Sequence, residues 1–162
     1  MSVYLFILQR KKKSLSYQVL SSTDLLTVNE EIKGKIKILY EEIPIQNVSL
    51  IILRIINDGN LPITSSDFER PISFSFGSES SILSAEIIDK SPSTLKPDLK
   101  PDTSQIGLIP VLLNNKDSIT VKLLVSGFAG RIEPDARIVG VGEIKRIVDK
   151  SSNWEYLIRR GR

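Results

Sequence analysis

The chain has 162 residues, 41% of them hydrophobic and 25% charged, a composition that fits one globular domain with its own core and neither a disordered nor a fibrous chain. It has no Cys and no His, which excludes disulfides, thiolate or imidazole metal ligands, and Ser-His or Cys-His nucleophilic catalysis. The net charge of +3 is uneven: residues 1–13 carry four bases and no acid, residues 143–162 carry six bases and three acids, and the stretch between is mildly acidic.

Val3 to Leu8 is an apolar run that gives way to Arg10, Lys11, Lys12 and Lys13. So short a run does not cross a bilayer, which takes about 20 apolar residues in a helix. Nor is it a signal peptide, because the charges follow the apolar run and no small-residue cleavage site appears. Three readings stay open for residues 1–13: a first strand, an interfacial anchor, or the end of a transmembrane helix. If the lead is membrane-derived, cations directly after it place the domain on the cytoplasmic side.

From Leu15 the chain reads as short strands separated by turn residues. Leu15 to Leu20 is the first. Ile32 to Tyr40 alternates cleanly, with Ile32, Ile36, Ile38 and Tyr40 predicted to face the core and Lys33, Lys35 and Lys37 to face water. Val48 to Ile56 is nearly continuous in apolar residues, as in a central strand. Asn57-Asp-Gly-Asn60 supplies residues tolerant of positive φ and predicts a tight reversal; as a calcium loop it lacks the regular oxygen spacing and closing Glu of an EF-hand. Ser65 to Pro71 reads as a surface loop, and Ile72 to Phe76 as a strand with its aromatic side inward.

Gly77 to Ser81 then turns the chain into a strand over Ile82 to Ile88. Asp89 to Asp102 holds three prolines, which deny donors to a ladder, and predicts an extended connection along an edge or between sheets. Ile106 to Leu113 resumes the apolar text, Asn114 to Asp117 turns, and Ile119 to Val125 alternates. Gly127 and Gly130 bracket a corner, and Arg137 to Val141 reads as the last strand. Glu143 to Val148 and Trp154 to Ile158 are short segments whose state stays open. The expected fold is therefore an all-β, antiparallel two-sheet sandwich of about eight strands with little helix. Its expected division is a lead over 1–13, the sandwich over 14–142 and a basic tail over 143–162.

Two sets of residues carry a resemblance. Val48 to Ile63, with Asn57-Asp-Gly-Asn60 and Pro62, and Leu113 to Leu123 resemble the strand-turn-strand text of immunoglobulin-like and fibronectin-type-III-like bacterial sandwiches, over roughly residues 15–142. The chain departs from antibody-type domains in having no Cys pair and no Trp within the strands. Ser14 to Ser21, Glu31 to Lys35, Phe68 to Phe74 and Arg137 to Val141 are similar to a bacterial group of uncharacterised sandwiches next to a transmembrane segment. The resemblance implies a sandwich beside a membrane; it implies no activity and no catalytic residue, and such folds host many roles.

The sequence therefore predicts a non-enzymatic protein-interaction module, tethered by its amino end, with no catalytic residue, no metal and no cofactor. Arg10, Lys11, Lys12 and Lys13 are the candidate contacts to anionic lipid or phosphate, with Arg159, Arg160 and Arg162 a second set. Asp67, Glu69 and Arg70 are the candidate surface for a protein partner. The alternative is a nucleic-acid-binding protein using Lys33, Lys35, Lys37 and the terminal arginines, with Trp154 or Tyr156 for stacking. A carboxylate-based hydrolase ranks below both. Glu30 and Glu31, or Glu41 and Glu42, are adjacent in sequence, and adjacent side chains on a strand point to opposite faces.

Overall fold

The computed structural model describes residues 10–27, 35–45 and 47–149. The apolar run of residues 3–8, Ile32, Lys33, Glu30, Glu31, Trp154, Tyr156 and the candidate cations Arg159, Arg160 and Arg162 lie outside the described residues.

Eleven strands are described: β1 Ser16–Thr27, β2 Ile38–Tyr40, β3 Ile43–Ile45, β4 Asn47–Ile56, β5 Phe68–Ser75, β6 Ser81–Ser91, β7 Leu99–Pro101, β8 Gln105–Leu108, β9 Ser118–Ser126, β10 Glu133–Ile138 and β11 Lys145–Ile147. One sheet has the order β11-β1-β4-β9-β6, a second β10-β5-β8-β7, and β2 with β3 makes a separate hairpin. The fold is the expected all-β sandwich, and the only helical element among the described residues is a single 3-10 turn over Ser65–Asp67. The count exceeds eight because β2, β3, β7 and β11 are three-residue pieces, too short to show a period.

Alternation builds the core. Along β4, Ile51, Leu53 and Ile55 are buried, and along β9 so are Ile119, Val121, Leu123 and Val125. The register places Ile51 beside Leu123, Leu53 beside Val121 and Ile55 beside Ile119. From the second sheet Ile72, Phe74, Ile106 and Leu108 fill the facing layer. Tyr17 on β1 meets Phe74 on β5 edge to face, with ring centroids 5.3 Å apart, so the two sheets are in direct contact. Each such side chain, fully buried, contributes roughly 1.5–3 kcal/mol.

Several local expectations are corrected. The 57–60 segment does not reverse β4 into a neighbouring strand; it carries the chain to the other sheet, through an isolated bridge between the buried Ile63 and Leu113. Ser65 to Pro71 is not all loop. After the 3-10 turn, β5 starts at Phe68 and includes Pro71, which the ladder tolerates because the β10 register slips between Asp135 and Arg137. Ile36, predicted to face the core, is 53% exposed: its segment ends in the β2–β3 hairpin, anchored by the Tyr40 hydroxyl donating to Leu83 O on β6.

Arg137 to Val141 is not the last strand. β10 ends at Ile138, and the 143–148 segment forms β11, three residues past the expected end of the sandwich. β11 pairs with β1 in parallel, Ser16 beside Lys145, against the antiparallel expectation. It comes from β10 in the opposite sheet, so the connection is a crossover rather than a hairpin, and a crossover permits a parallel neighbour. The proline-rich 89–102 stretch behaves as expected: it leaves β6 and enters the second sheet as the edge strand β7.

Candidate functional site

The sandwich has one end at which the candidate residues of the amino-terminal run gather. β1 starts there, β4 ends, β9 starts and β10 ends, as their registers require. The 57–60 segment occupies this pole and grips the lead. Asn60 N donates to Lys12 O (3.0 Å), Asn60 Oδ1 accepts from Lys12 N (2.6 Å), and Asn60 Nδ2 donates to Arg10 O (3.0 Å). One side chain thus extends a two-bond rung into a clamp over three residues. Beside it, Ser16 Oγ donates to Asp58 Oδ2 at 2.6 Å, and Asn115 Nδ2 donates to Gly59 O.

Asn57 positions this clamp. It is fully buried, and its amide Nδ2 donates to Leu61 O (2.9 Å) and Leu113 O (2.8 Å) while Oδ1 accepts from Gly59 N (3.0 Å). Its backbone joins the 114–117 turn, with Asn57 N donating to Asp117 O and Lys116 N donating to Asn57 O. An unpaired buried amide would cost several kcal/mol, so this residue type is dictated by the carbonyls around it.

The four candidate cations are therefore not equivalent. Arg10, Lys11 and Lys12 are exposed. Lys13 is turned inward: its Nζ lies 2.8 Å from Asp67 Oδ2, the two side chains being 21% and 15% exposed, and its methylenes lie against Gly140. Asp67 is correspondingly occupied. The Lys13 ammonium and the Thr64 backbone N–H, which donates to Asp67 Oδ2 at 2.7 Å, hold its carboxyl below its ordinary value of 3.8.

A carboxyl whose value is depressed by folding adds stability above its unfolded value and loses it as pH falls through the folded one. Asp67→Asn is therefore expected to melt below wild type at neutral pH, with the gap closing as the pH is taken below 3.8. A gap unchanged across that range would show that Asp67 does not hold Lys13.

Glu69 and Arg70, the other candidate partner residues, lie on β5 rather than on a loop. Glu69 pairs with Arg137 (3.3 Å) and Arg70 with Asp135 (3.0 Å) on β10. More than half of each side chain is exposed, so each pair contributes only about 0–1 kcal/mol and is open to replacement by a partner's charges. Glu69 and Arg137 line a shallow depression with Ile138, Val139, Gly140 and Val141. Asp67 and Glu69 thus share this pole with Arg10 to Lys13, while Arg70 belongs to the β5–β10 face.

Sequence reasoning missed the clamp residues Asn57, Gly59 and Asn60, as well as Asn115, Lys116 and Lys145. Lys12, Ser14, Asp58, Gly59, Asn60, Asn115 and Lys145 line an open polar depression of about 370 Å³. No group of three or more His, Cys, Asp or Glu residues suited to a metal occurs among the described residues. No helix among them is long and apolar enough to cross a membrane.

No family model matches the chain. No curated protein matches it either. Among solved structures it is similar to the GH20 exo beta-N-acetylglucosaminidase from Vibrio harveyi. For the complex with N-acetylglucosamine the TM-score is 0.38 and the identity 12%, over 86% of this chain and 19% of that one. An inactive mutant of the same enzyme gives a TM-score of 0.37 at 12% identity with the same coverage. This chain spans 19% of the length of those enzyme chains, and a likeness at that score carries no statement about activity.

Proposed function

We propose that this chain is a non-enzymatic protein-interaction module, an immunoglobulin-like sandwich carried at the cytoplasmic face of a membrane by the residues ahead of Arg10. The observation that carries the proposal is the clamp. Asn60 holds the backbone of Arg10 and Lys12, and Asp67 holds Lys13. Residues 10–13 are thereby fixed to one pole of the domain, as a rigid attachment point needs. Arg10, Lys11 and Lys12 then stand exposed directly after the apolar Val3–Leu8 run, the order of residues that favours a cytoplasmic domain. Partner contact is assigned to the weakly paired Glu69 and Arg70 on β5, of which Arg70 lies on the β5–β10 face and Glu69 at the pole itself.

Flotation with vesicles tests the proposal. The truncated control must begin at Arg10, because a start at Ser14 also removes the Lys12 rung and the Lys13 ion pair. The full chain is expected to float with phosphatidylcholine–phosphatidylserine vesicles and less so in high salt, and the chain from Arg10 to bind far more weakly. Equal flotation of the two, or none by either, would refute the tether. Retention of nucleic acid by a full chain that ignores vesicles would favour the alternative carried by Lys35, Lys37 and the basic ends.

A further inference from the structure

At the amino-terminal pole, three segments distant in sequence bring cations to one place. Lys12 comes from the clamped lead and Lys145 from β11, and both line the polar depression. Lys116 stands next to Asn115, a third lining residue, on the turn fastened to Asn57. All three lysines are exposed. They contrast with Lys13, paired to Asp67, and Lys122, paired to Glu86 at 2.7 Å. The carboxylate lining the depression, Asp58, already accepts a hydrogen bond from Ser16 Oγ.

The same pole carries an apolar tip beside the Lys13–Asp67 pair. Val139 is 63% exposed, on a turn held to the pole by Val139 N donating to Asp67 O and by Gly140 against the Lys13 side chain. Exposed cations and an aliphatic tip on one pole suit the headgroup layer of an anionic bilayer, where each Lys or Arg near the surface is attracted by the leaflet's negative potential. Single-stranded nucleic acid would instead call for an aromatic stacking platform beside the cations, and among the described residues the exposed apolar tip at this pole is Val139.

We infer that Lys12, Lys116 and Lys145 form one composite face that takes the phosphates of anionic lipid headgroups, and that it sets the sandwich with this pole against the membrane and the Gly77–Ser80 turn away from it. The inference rests on the tether proposed above and deepens it: the apolar lead attaches the domain, and the composite face orients it.

The test is flotation of the full chain carrying Lys116→Gly with Lys145→Glu, on phosphatidylcholine vesicles with and without phosphatidylserine. Lys116 has φ +68°, a conformation that glycine takes without strain, so removing its charge there does not threaten the fold. Lys116→Gly alone, expected to lose about fivefold, separates a charge effect from any weakening of β11 by Lys145→Glu. For the double variant, partition onto anionic vesicles is expected to fall about tenfold or more while partition onto neutral vesicles is unchanged. Lys37→Glu, next to the hairpin that Tyr40 fastens to β6, is expected to stay within about twofold of wild type, since its charge lies off the composite face. Wild-type partition by the double variant, with binding lost on Arg10→Ala and Lys11→Ala, would overturn the composite face and leave the tether standing. Failure of the wild-type chain to float with either vesicle would overturn both.

Discussion

Asn57→Ala is expected to destabilise the domain by roughly 3 kcal/mol, a loss of about 10 °C in melting temperature for a chain of this size. Of the groups its side chain serves, Leu113 O keeps the Ile63 N–H as a second donor, whereas among the described residues no other donor to Leu61 O and no other acceptor for Gly59 N is seen. The cost is therefore two stranded backbone groups and a small cavity rather than three broken bonds. Asn57→Asp makes a sharper comparison. It keeps the shape but aims a carboxylate at two carbonyl oxygens, so burial and repulsion push that new carboxyl above the usual range. A group whose value is raised by folding adds relative stability when protonated and loses it as pH rises; the Asp variant should thus melt closer to wild type at acid pH than at neutral pH. Urea melts at two pH values read both effects. An Ala variant within about 0.5 kcal/mol of wild type would mean that Asn57 does not organise this pole.

The same residue shows where the sequence was legible and where it was not. The sandwich could be read because a strand with one buried face must alternate, and β4, β5 and β9 do so over five or more residues. Alternation reports only that two faces differ. It does not report that a sheet stands opposite, which is why Ile36 was predicted inward and lies exposed beside the β2–β3 hairpin. The Asn57–Asn60 segment was recognised by composition, but residues tolerant of turns also suit a crossover whose side chains must satisfy distant backbone. Asn57 and Leu113 are 56 positions apart, and Asn60 and Lys12 are 48 apart, separations at which no local period exists. Lys145 and Lys116 carry no local signal for the same reason. Each is one cation in mixed surroundings until folding places it near Lys12.

The clamp also changes what the basic lead is. As a sequence, Arg10 to Lys13 is a uniform block of four positive charges; in the fold it is a clamped segment with one half-buried ion pair and three outward cations. Electrostatic attraction to a surface then comes from a fixed array rather than a loose tail, and a fixed array can select an orientation as well as a charge. The packing around Asn57 thereby supports the proposed attachment. A single methyl group at Gly59 would disrupt it.

Gly59→Ala should release the lead. A Cβ at this position would sit 2.5 Å from both Lys12 O and Ser14 N, and both are backbone atoms that no rotamer change moves aside. The two segments must part, taking with them the Asn60–Lys12 rung and the Asn60 bond to Arg10, three hydrogen bonds that together contribute about 3 kcal/mol at roughly 1 each. The core of β4, β5 and β9 is not touched, so the loss should be local. Hydrogen exchange is expected to speed up over residues 10–15 and the 57–61 crossover while β9 stays protected, and trypsin should cut at Arg10 to Lys12 much sooner than in wild type. If the lead attaches the domain and the composite face orients it, this variant should still float with anionic vesicles through its apolar run, but lose its sensitivity to Lys116→Gly and Lys145→Glu. Protection of residues 10–15 equal to wild type would show that the pole accommodates the methyl group, and that the lead is held by something other than this close backbone approach.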